Sequence, residues 1–453
     1  MLLESVVKFD KVIEEQKQFF RTGQTKNVNF RVEQLQKLKQ AITENQPVII
    51  KALKADLNKS GFDAYFEIIG ILKEIDYALK HIKSWVKPQR VVPPYHQFLS
   101  SAQIYREPFG VVLIIGPWNY PFNLVITPLI GVIAAGNCAV IKPSEIANSS
   151  SAVIAQIIGK TFDSSFIHVI EGDVEVSKKI LSEKFDNIFF TGGNEVGKIV
   201  MSSAAKHLTP VTLELGGKSP CIVDENTHLE FTAKRIVWGK FINAGQTCTA
   251  PDYLLVHRNV KEALLNRIEK YIREFYGNVP SKSPNYSRVI NEKHFLRLTN
   301  LLKSGKIVVG GDTNLKDLYI GPTVIDRVCW EDKIMQEEIF GPILPVLEYT
   351  NLEEALTIVN EKPKPLALYF FSNNQQNQAK FLQETTSGGA CINDTVMHLT
   401  IPSLPFGGVG ESGMGRYHGK ASFENFSYQR SVLKKSFLLD FKWRYYPAPL
   451  GKN

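Results

Sequence analysis

Asp186-Asn187-Ile188-Phe189-Phe190-Thr191-Gly192-Gly193-Asn194-Glu195-Val196-Gly197 is an apolar run that stops on two glycines and passes into Lys198 to Lys206, a stretch compatible with a helix. The pattern predicts a buried strand, a glycine turn and a helix N-terminus in succession. Such a junction is an anion site, because unpaired N–H groups and the helix dipole both favour phosphate. The same segment nearly spells a P-loop: Gly192, Gly197 and Lys198 fit, but Ile199 stands where a magnesium-binding hydroxyl is needed. Dinucleotide binding therefore ranks above nucleotide hydrolysis. A literal G-x-G-x-x-G at Gly408 to Gly413 follows Leu404-Pro405-Phe406 rather than a strand, and Gly415 interrupts the helix it would require. It reads as a glycine-rich loop.

Outward from that segment the same grammar repeats. Val111 to Ile115 is a fully apolar run ended by Gly116-Pro117, with Asn119 at the carboxyl end of the predicted strand. Ligands of open α/β sheets bind at such ends, and a side-chain amide there can hold an oxyanion. Leu124 to Gly136 reads as a buried helix leading into a strand at Cys138 to Ile141, after which Lys142, Ser144 and Glu145 offer a cation, a hydroxyl and a carboxylate. Lysine and glutamate both suit ribose hydroxyls, and lysine also suits a 2′-phosphate. Apolar positions Val32, Leu35, Leu38 and Ile42 predict an amphipathic helix over Phe30 to Asn45, and Phe66 to Trp85 continues in that manner. Short strands alternate with helices from Tyr105, the pattern of a parallel sheet. A second α/β unit is expected from Val211, with a strand at Tyr253 to Val256 and a helix lined by Leu264, Ile268, Ile272 and Phe275. Lys87 to Ser101, with Pro93-Pro94, breaks the alternation and reads as an arm.

Two further segments supply reactive groups. Phe231 to Asn243 has roughly helical apolar spacing and stops at Asn243-Ala244-Gly245, so Cys248 lies just past a helix end among small residues. Nearby backbone N–H groups are expected to lower its thiol pKa below the usual value of about 8.5. In Pro210 to Leu215 the alternation puts Val211, Leu213 and Leu215 on one face and Thr212 and Glu214 on the other. Glu214 then meets Gly216-Gly217, where missing side chains open the wall, and a carboxylate there can serve as a general base. Each group alone has an ordinary reading: a loop cysteine, a strand-edge charge, a turn asparagine. Gln336-Glu337-Glu338-Ile339-Phe340-Gly341-Pro342 adds a carboxylate and a ring before a Gly-Pro turn.

Together the motifs Gly245-Gln246-Thr247-Cys248, Leu213-Glu214-Leu215-Gly216-Gly217-Lys218-Ser219-Pro220 and Glu338-Ile339-Phe340-Gly341-Pro342 resemble the aldehyde dehydrogenase superfamily. Pro121-Phe122-Asn123 and Ser403 to Gly408 resemble its class 3 branch, and the likeness spans about Val28 to Pro447. The resemblance implies Cys248 as nucleophile, Glu214 as general base and Asn119 as oxyanion donor. It implies NAD or NADP held by Trp118, Lys142, Ser144, Glu145, Gly192, Gly193, Val196, Gly197, Glu338 and Phe340, and no metal. One departure stands out: a usual Gly-Ser is Gly192-Gly193 here, which removes a hydroxyl near the pyrophosphate. The implied architecture is α/β, with a Rossmann-like cofactor domain (1–80 and 102–210), a catalytic domain (211–392), and a small β bridging or oligomerisation element with the C-terminal tail (81–101 and 393–453), assembled as a homodimer. The implied reaction is oxidation of medium or long aliphatic, aromatic or terpenoid-like aldehydes, with Tyr65 and Trp118 expected in the substrate funnel. Competing readings are a cysteine thioesterase or esterase using His207 or His257, a P-loop-like nucleotide-binding protein, and a non-enzymatic relative.

Bulk properties fit. The chain of 453 residues is long enough for two or three units. Its five cysteines are odd in number and lack any C-x-x-C, and its nine histidines form no metal spacing, which indicates a reducing compartment. A net charge of +8 with interspersed acids does not indicate nucleic acid. Glu4, Asp10, Glu14 and Glu15 argue against a signal peptide, so the cytoplasm is expected. The basic and aromatic tail, Lys434 to Tyr446, is expected to pack on the protein, with peripheral membrane contact as the alternative.

Overall fold

The computed structural model describes residues 2–440 and 445–446, with side chains from residue 9. Four helices come first, Leu2–Arg21, Val28–Glu44, Gln46–Leu57 and Gly61–Trp85. Leu35, Leu38 and Ile42 are buried on the second of these, the stripe the sequence shows. These helices share one core with a six-stranded sheet. That sheet runs Gly413–Met414, Val211–Glu214, Asn187–Thr191, Val111–Ile115, Cys138–Lys142, Ile167–Val169, all parallel except the first. Val111, Val112, Leu113 and Ile114 are inaccessible to solvent, as expected for strands covered on both faces. Helix Asn123–Ala135 follows the first of these strands, and its carboxyl end is closed by Gly136 at φ 93°.

A seven-stranded sheet forms the second body, in the order Lys306–Val309, Thr323–Asp326, Ile343–Tyr349, Tyr253–His257, Pro220–Val223, Ala367–Phe371, Gly389–Ile392. Its side chains divide with period two between two cores. Cys221, Val223, Leu254 and Val256 join one, and Ile222, Tyr253 and Leu255 the other. The third sheet is antiparallel: Gln89–Val91, Ser100–Pro108 and Ser427–Lys435.

Sheet membership differs from the expected boundaries at three places. Strand Val211–Glu214 pairs with Asn187–Thr191 and so extends the first sheet, although the sequence assigns it to the second unit. Strand Ser100–Pro108 belongs to the small antiparallel sheet, and Gly413–Met414, expected in the bridging element, closes the edge of the first. Alternating apolar residues mark a strand but not its partner, and the partners here lie far along the chain. Of the tail, Lys434 and Lys435 pair with Ser101 and Ser100, and the Ser436 N–H donates to the Leu99 carbonyl at 3.0 Å, whereas Phe437, Leu438 and Tyr446 are exposed; residues 441–444 and 447–453 lie outside the described residues. Among the described residues no helix is long and apolar enough to cross a membrane.

Candidate active site

Between the two large sheets lies a cavity of about 760 Å³ whose wall includes Asn119, Glu214, Cys248 and Glu338. Four segments remote in sequence therefore meet at one place.

The segment leading to Cys248 is held under strain. Helix Leu229–Phe241 stops at Phe241 rather than at Asn243, and Asn243, Ala244 and Gly245 take φ of 51°, 52° and 71°. A left-handed conformation costs a non-glycine residue about 1–2 kcal/mol and survives only where neighbours impose it. The neighbours are identifiable. Asn243 Nδ2 donates to the Asn119 carbonyl (2.9 Å) and the Gln246 carbonyl (3.1 Å). Gln246 Nε2 donates to the Asn243 and Arg288 carbonyls (3.0 and 2.9 Å), and its Oε1 accepts from the Ile290 N–H (3.0 Å). Gly245 admits no side chain, because a Cβ would stand 2.2 Å from the Gly341 carbonyl oxygen. The Cys248 loop is thus seated on the loop that carries Phe340, itself at φ 48°.

Asn119 Nδ2 donates to the Gln246 carbonyl at 3.1 Å, which fixes the amide beside the residues leading to Cys248. Glu214 ends its strand, and both carboxyl oxygens are buried without a hydrogen-bond partner. Burial raises its pKa well above the ordinary value, and Arg416 pulls it only partly back. A buried carboxyl without a partner is costly for folding. One aimed into a cavity is placed for a ligand.

The thiol departs from expectation. Burial, then the charges of Glu338 and Glu214, push the Cys248 pKa far up, and the backbone N–H groups of Cys248 and Thr249 offset only part. The sequence shows the small neighbours but not that two carboxylates converge on the sulfur. Glu338 is one of them: its pKa is raised to about 8, first by burial and then by Asp252. Its carboxyl lies against Gly216, where a Cβ would overlap Glu338 Oε2 at 1.9 Å.

The glycine turn is built differently. Gly192 and Gly193 line the cavity, and helix Asn194–Ala205 starts immediately after them. A Cβ on Gly193 would meet nothing within 4 Å. Thr191, which sequence reasoning passed over, has a buried Oγ1 without a partner at the same wall. Open N–H groups at a helix start and an orphaned hydroxyl fit a phosphate-bearing dinucleotide. Val196 joins the wall, whereas Gly197 does not: a Cβ there would strike Leu215 Cδ2 at 2.6 Å, so this glycine lets helix and strand approach. Trp118 packs edge-on against Phe340, with centroids 5.3 Å apart, and both line the cavity.

Lys142, Ser144 and Glu145 are not part of that wall. They sit where strand Cys138–Lys142 ends, with Lys142 Nζ donating to the Pro143 carbonyl (2.8 Å) and Glu145 Oε2 (3.2 Å). Tyr65 is 49% exposed on helix Gly61–Trp85 and does not line the cavity either. Arg416, His294 and Ser412 do surround the site without having been singled out. Arg416 is the cation that faces Glu214, and His294 is held neutral by burial, its pKa lowered to about 4. Ser412 belongs to the glycine-rich loop, whose carbonyl accepts from the Leu215 N–H beside Glu214. No local pattern marks these residues, since each is brought in by the tertiary fold.

The rival readings fare poorly. His207 lies at the surface near the Ser182 carbonyl, His257 Nε2 is bonded to the Thr350 carbonyl at 2.9 Å, and neither lines the cavity. Lys198, the would-be P-loop lysine, pairs with Glu195 on the exposed helix face at 2.9 Å.

Two largely parallel sheets, with a thiol, a carboxyl and an amide converging beside a glycine turn at a helix start, fit an oxidoreductase that uses a dinucleotide. The chain belongs to the aldehyde dehydrogenase family, whose model matches residues 4–432. It is 51% identical to the 4,4'-diaponeurosporen-aldehyde dehydrogenase of Staphylococcus aureus, covering 94% of this chain and 93% of that one. It is 46% identical to the mouse aldehyde dehydrogenase, dimeric NADP-preferring, over 95% of this chain and 96% of the relative. A solved structure titled a substrate-bound state of Staphylococcus aureus AldH superposes with a TM-score of 0.95, at 48% identity over 97% and 96% of the two chains. The class 3 likeness holds as well, since aldehyde dehydrogenase family 3 member B3 of mouse is 50% identical over 94% of this chain and 89% of its own length.

Proposed function

We propose that this chain oxidises aldehydes to carboxylic acids with NAD or NADP through a covalent intermediate on Cys248. The observation that carries the reading is the convergence of Cys248, Asn119 and the unpartnered Glu214 carboxyl on one cavity. Cys248 attacks the aldehyde carbon, and Asn119 Nδ2 with the Cys248 backbone N–H stabilises the oxyanion of the thiohemiacetal. Attack requires the thiol proton to leave, and Glu214 and Glu338 are the two carboxylates close enough to influence it. NAD or NADP held there would supply the hydride acceptor for oxidation of the thiohemiacetal to a thioester. Glu214 then takes a proton from water, which hydrolyses the thioester. Gly192, Gly193, Val196 and the start of helix Asn194–Ala205 would hold the pyrophosphate, Glu338, Phe340 and Trp118 the nicotinamide side, and Lys142, Ser144 and Glu145 the adenosine ribose. Gly197 serves by letting the helix close on the strand. A Glu145 carboxylate favours a free 2′-hydroxyl, while Lys142 leaves room for a 2′-phosphate.

The broad substrate class is medium or long aliphatic, aromatic or terpenoid-like aldehydes. The chain works in the cytoplasm as a homodimer joined through its antiparallel sheet, with the cofactor domain carried to residue 214 and the catalytic domain beginning at the second sheet. The mouse relative's description as dimeric supports this assembly.

Cys248→Ala should abolish aldehyde-dependent NADH or NADPH formation, read by absorbance, with cofactor affinity kept. Glu214→Gln should give one fast turnover and then stall. Full turnover in Cys248→Ala ends the assignment, and a uniform slowing without a burst in Glu214→Gln reassigns the base.

A further inference from the structure

Beneath the site lies a set of buried charges that the chemistry above does not use. Lys59 and Glu67 form an ion pair of 2.6 Å with neither side chain exposed. A pair so buried stabilises little, because desolvation of both ions offsets their attraction. Each member instead reaches a different loop of the site. Glu67 Oε1 accepts from the backbone N–H groups of Phe122 (3.1 Å) and Asn123 (2.9 Å), pinning the chain directly after Asn119-Tyr120-Pro121. Lys59 Nζ stands 3.9 Å from the centroid of the Tyr120 ring. The Tyr120 hydroxyl shares a hydrogen bond of 2.9 Å with Thr247 Oγ1, on the residue before Cys248. Asp63, one helical turn before Glu67, lies against Lys59 and the backbone N–H of Asn243, where the left-handed turn begins.

We propose that Lys59, Asp63, Glu67 and Tyr120 are a positioning device that holds the Asn119 loop and the Cys248 loop in register, so that amide and sulfur address the same carbonyl group. None of the four touches the reacting atoms in this scheme. They act through Thr247, Asn243 and the Phe122–Asn123 backbone, and their role rests on the assignment of Cys248 as nucleophile. The two loops are far apart in sequence and meet only in the folded chain. A shared buried anchor adds to the direct bonds between Asn119, Asn243 and Gln246. Misplacing a reacting group by about 1 Å is enough to cost about a hundredfold in rate.

The test uses two variants of the full chain and a single-turnover measurement of NADH formation with hexanal and benzaldehyde. Lys59→Met/Glu67→Leu removes both charges and leaves the Phe122 and Asn123 N–H groups without their acceptor. Tyr120→Phe removes only the hydroxyl that reaches Thr247. The expected result is a cofactor dissociation constant within about twofold of the parent, with single-turnover rates about a hundredfold lower in the double variant and about tenfold lower in Tyr120→Phe. A merely structural role would lower the melting temperature and leave the single-turnover rate per folded site intact. An unchanged rate in Tyr120→Phe overturns the proposal, and this arm decides the matter even if the double variant does not fold. Cys248→Ala run alongside separates the two failures: a dead Cys248→Ala with an unaffected Tyr120→Phe removes only the positioning role, and an active Cys248→Ala removes the nucleophile itself.

Discussion

Two glycine turns, one in the cavity wall at Gly193 and one packed on backbone at Gly245, are built on opposite terms. Gly193 is in ordinary extended conformation, φ −74° and ψ 154°, with open space where a side chain would go. Gly245 is left-handed, and backbone crowds it on the side where a Cβ would point. On the proposed function the first turn admits and releases a cofactor, which fits its accessible backbone. The second leads to Cys248, and its left-handed backbone is held by Asn243, Gln246 and the Gly341 carbonyl. Glycine is present for openness in one and out of necessity in the other.

The sharpest break in that contrast is Gly245→Ala. The new methyl would meet backbone, which cannot rotate away, and would add the left-handed penalty of about 1–2 kcal/mol. Turnover should fall by about a hundredfold or more, since the Cys248 loop has to shift to accommodate it. A lower melting temperature by calorimetry should accompany the loss. Parent-like activity would show that the turn is not held as tightly as its contacts indicate.

A middle-sized effect is expected where the strained side meets its carboxylates. Glu338 titrates near 8 in the folded chain, raised chiefly by burial. Below that pH it is neutral and exerts no charge on the sulfur; above it the carboxylate opposes thiolate formation. Glu338→Gln should therefore alkylate with iodoacetamide at Cys248 no faster than the parent near pH 6, and up to about tenfold faster near pH 10. The linkage sign follows from the same shift. The folded chain binds this proton more tightly than the unfolded chain, so the contribution to stability is full below the ordinary value of 4.5 and lost as pH rises through 8. Removing the carboxyl should flatten that decline in a urea midpoint measured against pH, and an unchanged slope would assign it to other groups.

The contrast also explains what could be read in advance. The open turn is a local object: apolar run, two glycines, helix start, each legible in Asp186 to Lys206, and the structure has strand Asn187–Thr191 and helix Asn194–Ala205 there. The family motifs named Cys248, Glu214 and Asn119, and the fold brings those three to one cavity. What eluded sequence reasoning is tertiary. The thiol pKa was expected to fall and instead rises, because Glu338 and Glu214 come from segments with no local mark of their approach. Strand Val211–Glu214 alternates as expected but joins the first sheet, since period two fixes a face and not a partner. Arg416 faces Glu214 from a loop that reads only as glycine-rich.

The smallest effect, and the finest test, lies on the open side. Gly193 is the N-cap of helix Asn194–Ala205 and has no side-chain cap. Serine at that position requires no left-handed backbone and its Cβ meets no atom within 4 Å, so Gly193→Ser should be accepted without backbone strain. Its hydroxyl can cap the helix, worth a few tenths of a kcal/mol over glycine, and it restores the group usual beside a pyrophosphate. Cofactor affinity by fluorescence titration should tighten, by less than about tenfold for one added hydrogen bond. The single-turnover rate should not change, because the substitution leaves the sulfur and its anchors alone. Weaker binding would mean that the turn is open because the phosphate comes closer to the backbone than a hydroxymethyl group allows, which would make Gly193 as obligatory as Gly245.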